Sequence, residues 1–331
     1  MNTPISSPNF RDGSFQNLAP TPMMAEGVST FSVLLKFFNK PKLVTPTTPL
    51  PFQQTDLRSL QSDKPIVTWF GHSSYLIQVN GINLLIDPVF SGSASPVAMM
   101  IKAFAGTNAY GPKDMPVIDY LVLTHNHYDH MDKKTILALA AQTRAYIVPL
   151  GVEKHLISWN IAAEKISTLD WWQGKAMTPH INFTGMPARH FSGRGIKRGG
   201  SLWTAYLLEI FGYSIFIGGD SGYGDHFSSI GKQARKIDLA ILECGQYNEA
   251  WPYIHMQPED VVKAHIDLGA KTLLPVHWGK FALAYHPWNE PIERVTAKGA
   301  SEGIHITTPM IGEPLVVGEK YPDTNWWGSV L

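Results

Sequence analysis

From Ile66 onward the chain alternates short apolar runs with turn residues: Ile66 to Phe70, Ser74 to Val79, Asn83 to Ile86, Tyr120 to Leu123 and Ala145 to Val148. Runs of this length, bounded by turn residues, predict strands. Asn80-Gly81 between the second and third is a hairpin signal, so the opening sheet is expected to be at least partly antiparallel. Helical patterns fall over Lys133 to Gln142 and, more briefly, over Gly151 to Trp159. The β-rich pattern returns in the second half, where Ser201 to Phe211 and Ser214 to Gly218 predict a hairpin around Gly212-Tyr213, followed by a strand at Leu239 to Leu242. Pro258 then opens a helix with Glu259 and Asp260 in its first turn, where carboxylates complement the helix dipole, and Gly269 closes it. The strand Thr272 to Val276 follows and delivers His277 at its end. This alternation predicts an α/β fold. No strict internal repeat and no low-complexity tract is visible.

The stretch before Ile66 has a different character, with Ser7-Pro8-Asn9, Ala19-Pro20-Thr21-Pro22 and Pro46-Thr47-Thr48-Pro49 marking an irregular arm. Residues 1–60 are therefore expected to form an N-terminal arm packing on a domain of residues 61–331. Within the arm Val28, Phe31, Leu34, Leu35 and Phe38 share a helical stripe, far short of the ~20 apolar residues that span a bilayer. The stripe is expected to pack on the domain, with an interfacial lipid contact as the alternative. Met1-Asn2-Thr3-Pro4 does not open a signal peptide, which predicts a cytoplasmic protein, the stripe leaving peripheral membrane contact open.

Composition narrows the chemistry. Of 331 residues 44% are hydrophobic and 16% charged, enough to bury a sizeable core, and 27 Lys plus Arg balance 27 Asp plus Glu. Without a net positive field, nucleic acid is not an expected partner. A single cysteine, Cys244, excludes an internal disulfide framework and Cys-rich zinc modules, so any metal must be held by carboxylates and the 13 histidines. Nothing in the sequence fixes an oligomeric state.

Thr124-His125-Asn126-His127-Tyr128-Asp129-His130 follows the predicted strand Tyr120 to Leu123 and brings three imidazoles and a carboxylate within six positions. Imidazole nitrogen and carboxylate oxygen suit zinc, and a His-X-His pair in extended chain can turn both rings to one side. These donors are too few for two ions. Three further candidates sit where apolar runs stop: His190 in Met186-Pro187-Ala188-Arg189-His190, Asp220 in Gly218-Gly219-Asp220-Ser221, and His277.

This series resembles the metallo-β-lactamase superfamily over about Val67 to Ala284. Gly71-His72, Asp87-Pro88, His125 to Asp132, Ala188-Arg189-His190, Gly219-Asp220-Ser221-Gly222-Tyr223, His255 with Pro258-Glu259, and His277-Trp278-Gly279 resemble its N-acylphosphatidylethanolamine-hydrolysing phospholipase D branch. The resemblance implies a four-layer αβ/βα sandwich whose cleft holds two zinc ions, although iron and manganese accept the same donors. Carried over, His125, His127 and His190 hold one ion, Asp129, His130 and His277 the other, and Asp220 bridges. Asp129, besides its place as a ligand, and His255, as a proton donor or phosphoryl-oxygen partner, are the candidate catalytic residues. Asp87 is expected to support a ligand histidine rather than bind metal, and His72 to lie near the metal floor in a supporting or structural role. His265 and Cys244 are expected to be core residues. Trp278, Trp251, Tyr247 and Tyr223 are candidates for the pocket wall, against ordinary packing. The activity implied is hydrolysis of a phosphodiester by a metal-bridging hydroxide, on a small-molecule or phospholipid-like substrate. A lactonase of the same fold is the second reading and a non-catalytic metal-binding protein the third.

Overall fold

The computed structural model describes residues 6–29, 41–97, 100–195 and 197–330. Phe31, Leu34, Leu35 and Phe38 of the expected stripe lie outside them. A small ribbon, β1 (Phe10–Arg11) with β2 (Ser14–Phe15), opens the described chain. There follow β3 (Ile66–Trp69), β4 (Tyr75–Val79), β5 (Ile82–Ile86), β6 (Ile118–Val122), helix α1 (Lys133–Leu139), β7 (Thr143–Pro149), helix α2 (Glu153–Ser158) and β8 (Ile166–Leu169). The second half contributes β9 (Gly174–Thr178), β10 (Ile181–Met186), β11 (Ala205–Ile210), β12 (Tyr213–Ile217), α3 (His226–Gln233), β13 (Leu239–Glu243), α4 (Pro258–Leu268), β14 (Thr272–Val276), α5 (Glu290–Glu302), β15 (His305–Ile306) and β16 (Pro314–Val316).

These strands form two seven-stranded sheets, ordered β16-β3-β4-β5-β6-β7-β8 and β9-β10-β11-β12-β13-β14-β15. In the first, β16 to β5 pair antiparallel and β5 to β8 parallel. In the second, β9 to β12 pair antiparallel and β12 to β15 parallel. Each sheet thus runs through the same order of pairings. Helix α4 packs on β13 between α3 and α5, and α2 lies against β8, which gives the expected αβ/βα class. Every residue of β3, β4, β13 and β14 is buried, as expected for strands covered on both faces. One hydrophobic cluster joins the sheets, with Leu85, Leu121 and Ile147 from the first and Phe216, Ile241 and Leu274 from the second.

Local sequence explains the turns. Val79 pairs with Ile82, and the two residues between them, Asn80 (φ 49°) and Gly81 (φ 75°), are both left-handed, as the twist of a two-residue hairpin demands. The second hairpin closes one residue earlier than the sequence suggests. Ile210 pairs with Tyr213, so the loop is Phe211-Gly212 and Tyr213 begins β12. The strand before it also starts later than expected, at Ala205. Leu202 and Thr204 instead donate backbone N–H groups to Leu150 O (2.7 Å) and Thr124 O (2.9 Å), tying this segment to loops of the first sheet.

The C-terminal ends of β5, β6, β12, β13 and β14 deliver Asp87, His125, Asp220, Glu243 and His277 to one edge of the sandwich. Close packing of loops holds that edge. A Cβ at Gly222, two residues after Asp220, would lie 1.9 Å from Tyr253 O. Gly222→Ala is therefore expected to cost about 1–3 kcal/mol and lower the thermal midpoint. Gly200→Ala, where a Cβ meets nothing within 4 Å, should leave the midpoint unchanged in the same thermal melts.

Candidate metal centre

The loop after β6 carries His125, His127, Asp129 and His130 back over the sheet edge. Turn bonds from His130 N and Met131 N to His127 O (3.2 and 2.8 Å) shape it, and Asp132 then caps α1 by accepting from Lys134 N. His190 comes from the segment beyond β10, Asp220 from the one beyond β12, and His277 directly follows β14. These seven residues converge in two groups. His125, His127, His190 and Asp220 offer donor atoms within 4.8 Å of one another, as do Asp129, His130 and His277 together with His72.

Asp220 lies between the groups. Its Oδ2 is 3.8 Å from His125 Nε2 and 3.7 Å from His190 Nε2, while its Oδ1 is 3.1 Å from His130 Nε2 and 3.2 Å from His277 Nδ1. On the first side His127 Nδ1 lies 2.9 Å from His125 Nε2 and 3.2 Å from His190 Nε2. On the second, Asp129 Oδ2 is 3.5 Å from His130 Nε2. Neither Asp220 Oδ1 nor His130 Nε2 has a hydrogen-bond partner despite their proximity, and both are buried. Buried polar atoms are almost always paired, so orphaned donors converging from separate loops fit a cation between them.

Burial disfavours the charged form of each imidazole. It lowers His125, His190 and His277 below the ordinary histidine range and His127 to about 4, leaving lone pairs free to ligate. His130 behaves oppositely, because the carboxylates of Asp220, Asp129 and Asp87 outweigh its burial and draw a proton to it. For Asp220 and Asp129, burial is likewise outweighed by neighbouring imidazoles, chiefly His130, and both stay ionised well below the usual carboxylate range. A divalent cation would satisfy that same negative field.

A ring of supporting groups fixes the donors. Asp87 accepts from His130 Nδ1 (2.8 Å), Thr124 N (2.8 Å) and Thr124 Oγ1 (2.6 Å), which directs His130 Nε2 toward Asp220 and gives Asp87 the supporting place expected of it. His72 Nε2 lies 2.9 Å from Asp129 Oδ2, an equivalent place for a carboxylate donor. Ser73 Oγ is 2.9 Å from His277 Nδ1. His255 reaches the cleft beside Asp220 and His277, and its Nδ1 is 2.8 Å from Glu243 Oε2. Sequence reading missed Glu243. The available signal was a carboxylate ending the buried apolar run Leu239-Ala240-Ile241-Leu242.

Several other candidates make packing contacts. Trp278 is buried and stacks against Trp69 and Trp326, with centroids 5.4 and 5.2 Å away, so it supports His277 from behind. Tyr247 stacks on His286, Trp251 donates to Gln246 O (2.9 Å), and Tyr223 stacks on Phe227 with its hydroxyl on Asp267. Cys244 is a buried free thiol and His265 a buried residue of α4, both in core positions as expected. No helix among the described residues is long and apolar enough to cross a membrane.

Comparison with known proteins agrees with this geometry. A protein of Mycobacterium tuberculosis described only as uncharacterized is 37% identical over 326 residues, covering 97% of this chain and 87% of its own length. N-acyl-phosphatidylethanolamine-hydrolyzing phospholipase D 1 of Caenorhabditis elegans is 30% identical over 234 residues, 65% of this chain and 64% of its own length. A solved metallo hydrolase of the archaeon Ignicoccus hospitalis superposes over 78% of this chain and all of its own, with a TM-score of 0.59 and 18% identity. A family profile described as beta-lactamase superfamily domain matches residues 82–278. With two sheets of the same pairing order and a His/Asp cluster at their shared edge, the chain belongs to the β-lactamase superfamily, as a metal-dependent hydrolase of the metallo-β-lactamase fold.

Proposed function

We propose that the protein is a dinuclear metal hydrolase that cleaves a phosphodiester in a small or phospholipid-like substrate. The observation that carries the dinuclear reading is the division of Asp220, one oxygen facing His125 and His190 and the other facing His130 and His277. His125, His127 and His190 would hold one ion, Asp129, His130 and His277 the second, and Asp220 would lie between. Zinc suits this oxygen and nitrogen donor set. Two such ions, when bound, supply Lewis acidity toward phosphoryl oxygens and a water of lowered pKa.

The remaining work falls to the chain. Asp87, His72 and Ser73 hold the ligand side chains in register through the contacts described above. His255 is the candidate proton donor to the departing alkoxide. Its burial disfavours charge, yet Glu243 at 2.8 Å outweighs that and raises the imidazole, while burial pushes the Glu243 carboxyl up to about 7, so the pair holds a proton at the cleft. Glu243, also bonded by Ser221 N (3.1 Å) and Met256 N (3.2 Å), orients the ring beside Asp220 and His277. Preference for phosphorus over a lactone carbonyl is supported by the likeness to the nematode phospholipase D.

Elemental analysis of the purified chain is expected to give two metal ions per molecule, and Asp220→Asn to lower that content and abolish turnover while the thermal melt stays cooperative. A chain that binds one ion, or keeps both after Asp220→Asn with full activity, would sink the bridging assignment. Glu243→Gln and His255→Ala should each reduce turnover on the order of 100-fold or more with metal content retained, as seen by steady-state kinetics beside elemental analysis. On one metal-loaded preparation, a phosphodiester with acyl chains should be hydrolysed at least tenfold faster than a lactone of similar size. The reverse ranking would move the protein to the lactonase reading.

A further inference from the structure

His190 lies four residues beyond the end of β10, where its backbone N–H and C=O have left the sheet ladder. Both groups are nevertheless paired, and by a single side chain from the far end of the sequence. Asn17 Nδ2 donates to His190 O at 2.8 Å, and Asn17 Oδ1 accepts from His190 N at 3.1 Å. A primary amide offers a donor and an acceptor side by side, so it substitutes for the neighbouring strand that this residue lacks. The orientation of the amide is fixed, because the backbone N–H can only donate and the carbonyl can only accept. Trp203 Nε1 also donates to Asn17 Oδ1 (3.2 Å) and to Ala188 O (3.0 Å).

The arm is anchored on both sides of this contact. Phe15 is buried with Trp171, Ala188, Leu202 and Trp203 in a separate apolar cluster, and its N–H donates to Gly199 O (2.9 Å). On the other side Arg189 donates from Nε to Thr21 Oγ1 (3.0 Å) and from Nη2 to Pro20 O (2.8 Å). The His190 ring is held independently, with Nδ1 2.8 Å from Ile254 O, which turns Nε2 toward His127 and Asp220. The backbone clamp and the ring bond together determine where that nitrogen points.

From this geometry we infer that Asn17 is a positioning residue of the metal centre, and that the N-terminal arm completes the site holding the ion assigned to His125, His127 and His190. The inference rests on the proposal that His190 is a ligand. Asn17 bonds the His190 backbone and not its ring, and acts through that backbone. Loss of a group that orients a ligand weakens metal affinity on the order of 10- to 100-fold, and here the loss should be confined to one of the two ions.

The test uses the full chain loaded with zinc or cobalt(II). Metal release is followed by chelator competition, the visible cobalt spectrum reports the ligand field, and circular dichroism verifies the fold. Asn17→Ala is expected to release one ion 10- to 100-fold more readily and to change the cobalt spectrum, with the second ion unaffected. Asn17→Asp keeps the acceptor for His190 N but sets a carboxylate oxygen against His190 O, so it should behave like Asn17→Ala rather than the parent. Gln16→Ala, on the same arm with its side chain on Ser14 Oγ, should match the parent. If Asn17→Ala does not fold, Asn17→Ser carries the same comparison. Parent-like release from Asn17→Ala, or equal weakening of both ions, overturns the inference, even where the melting temperature falls. His190→Ala separates this outcome from the underlying reading, since retention of both ions in that variant would show that His190 is no ligand.

Discussion

Asp220 places one carboxylate, almost fully buried, among the nitrogens of four histidines that reach it from three separate loops. Removing an unpaired ion from water is expensive, on the order of 20 kcal/mol in the idealised limit, and the arrangement persists only if the neighbours compensate. In the protein alone they do so imperfectly: Asp220 Oδ1, His130 Nε2 and His277 Nε2 are buried without hydrogen-bond partners. The rest of the sheet edge follows from this constraint. Asp87 is needed to orient the His130 ring, His72 to hold Asp129, and the close contact of Gly222 with Tyr253 to keep the Asp220 loop seated against the loop that brings His255.

The two sheets reach this edge by the same route. In each, three antiparallel pairings are followed by three parallel ones, and a hairpin leads into a strand with an aspartate beyond its end, Asp87 directly after β5 and Asp220 three residues after β12. The next parallel strand, β6, ends three residues before His125 in the first sheet, and β13 ends on Glu243 in the second. The same edge of the two sheets thus carries acidic groups with different duties, because only Asp220 faces both histidine sets. The primary structure conceals the repeat. Pairing order constrains where apolar residues fall along a strand, and Ile, Leu, Val and Phe satisfy that requirement interchangeably.

The elements nearest the donors were legible because each donor follows an apolar run with a distinct end: Leu121-Val122-Leu123 before His125, Ile215-Phe216-Ile217 before Asp220, Leu274-Pro275-Val276 before His277. The Asn80-Gly81 turn and the Pro258 to Gly269 helix were legible for a related reason, since their punctuating residues have specific backbone roles. Contacts formed between distant segments left no such trace. Ser201 to Thr204 look strand-like, yet they bond to loops of the other sheet. Glu243 ends an apolar strand without a motif, and the reach of Asn17 to His190 spans 173 residues. A side-chain amide in a Pro-rich arm has no periodicity that would mark its partner.

Outside the span matched by the family, residues 82–278, the chain still shapes the centre from both ends. His72 (φ 54°) and His277 (φ 68°) both adopt the left-handed backbone region, which costs roughly 1–3 kcal/mol for a non-glycine residue. They are held there mutually, as His277 N donates to His72 O and His72 N to Trp278 O, each at 2.9 Å. Beneath this pair Trp69 donates its indole N–H to His72 O (2.7 Å) and stacks on Trp278, which stacks in turn on Trp326 near the C-terminal end. Aromatic burial offsets the strain, and the strain aims the two imidazoles. Replacing a tryptophan in that stack would therefore act on the His/Asp cluster through backbone geometry, without touching a single donor atom.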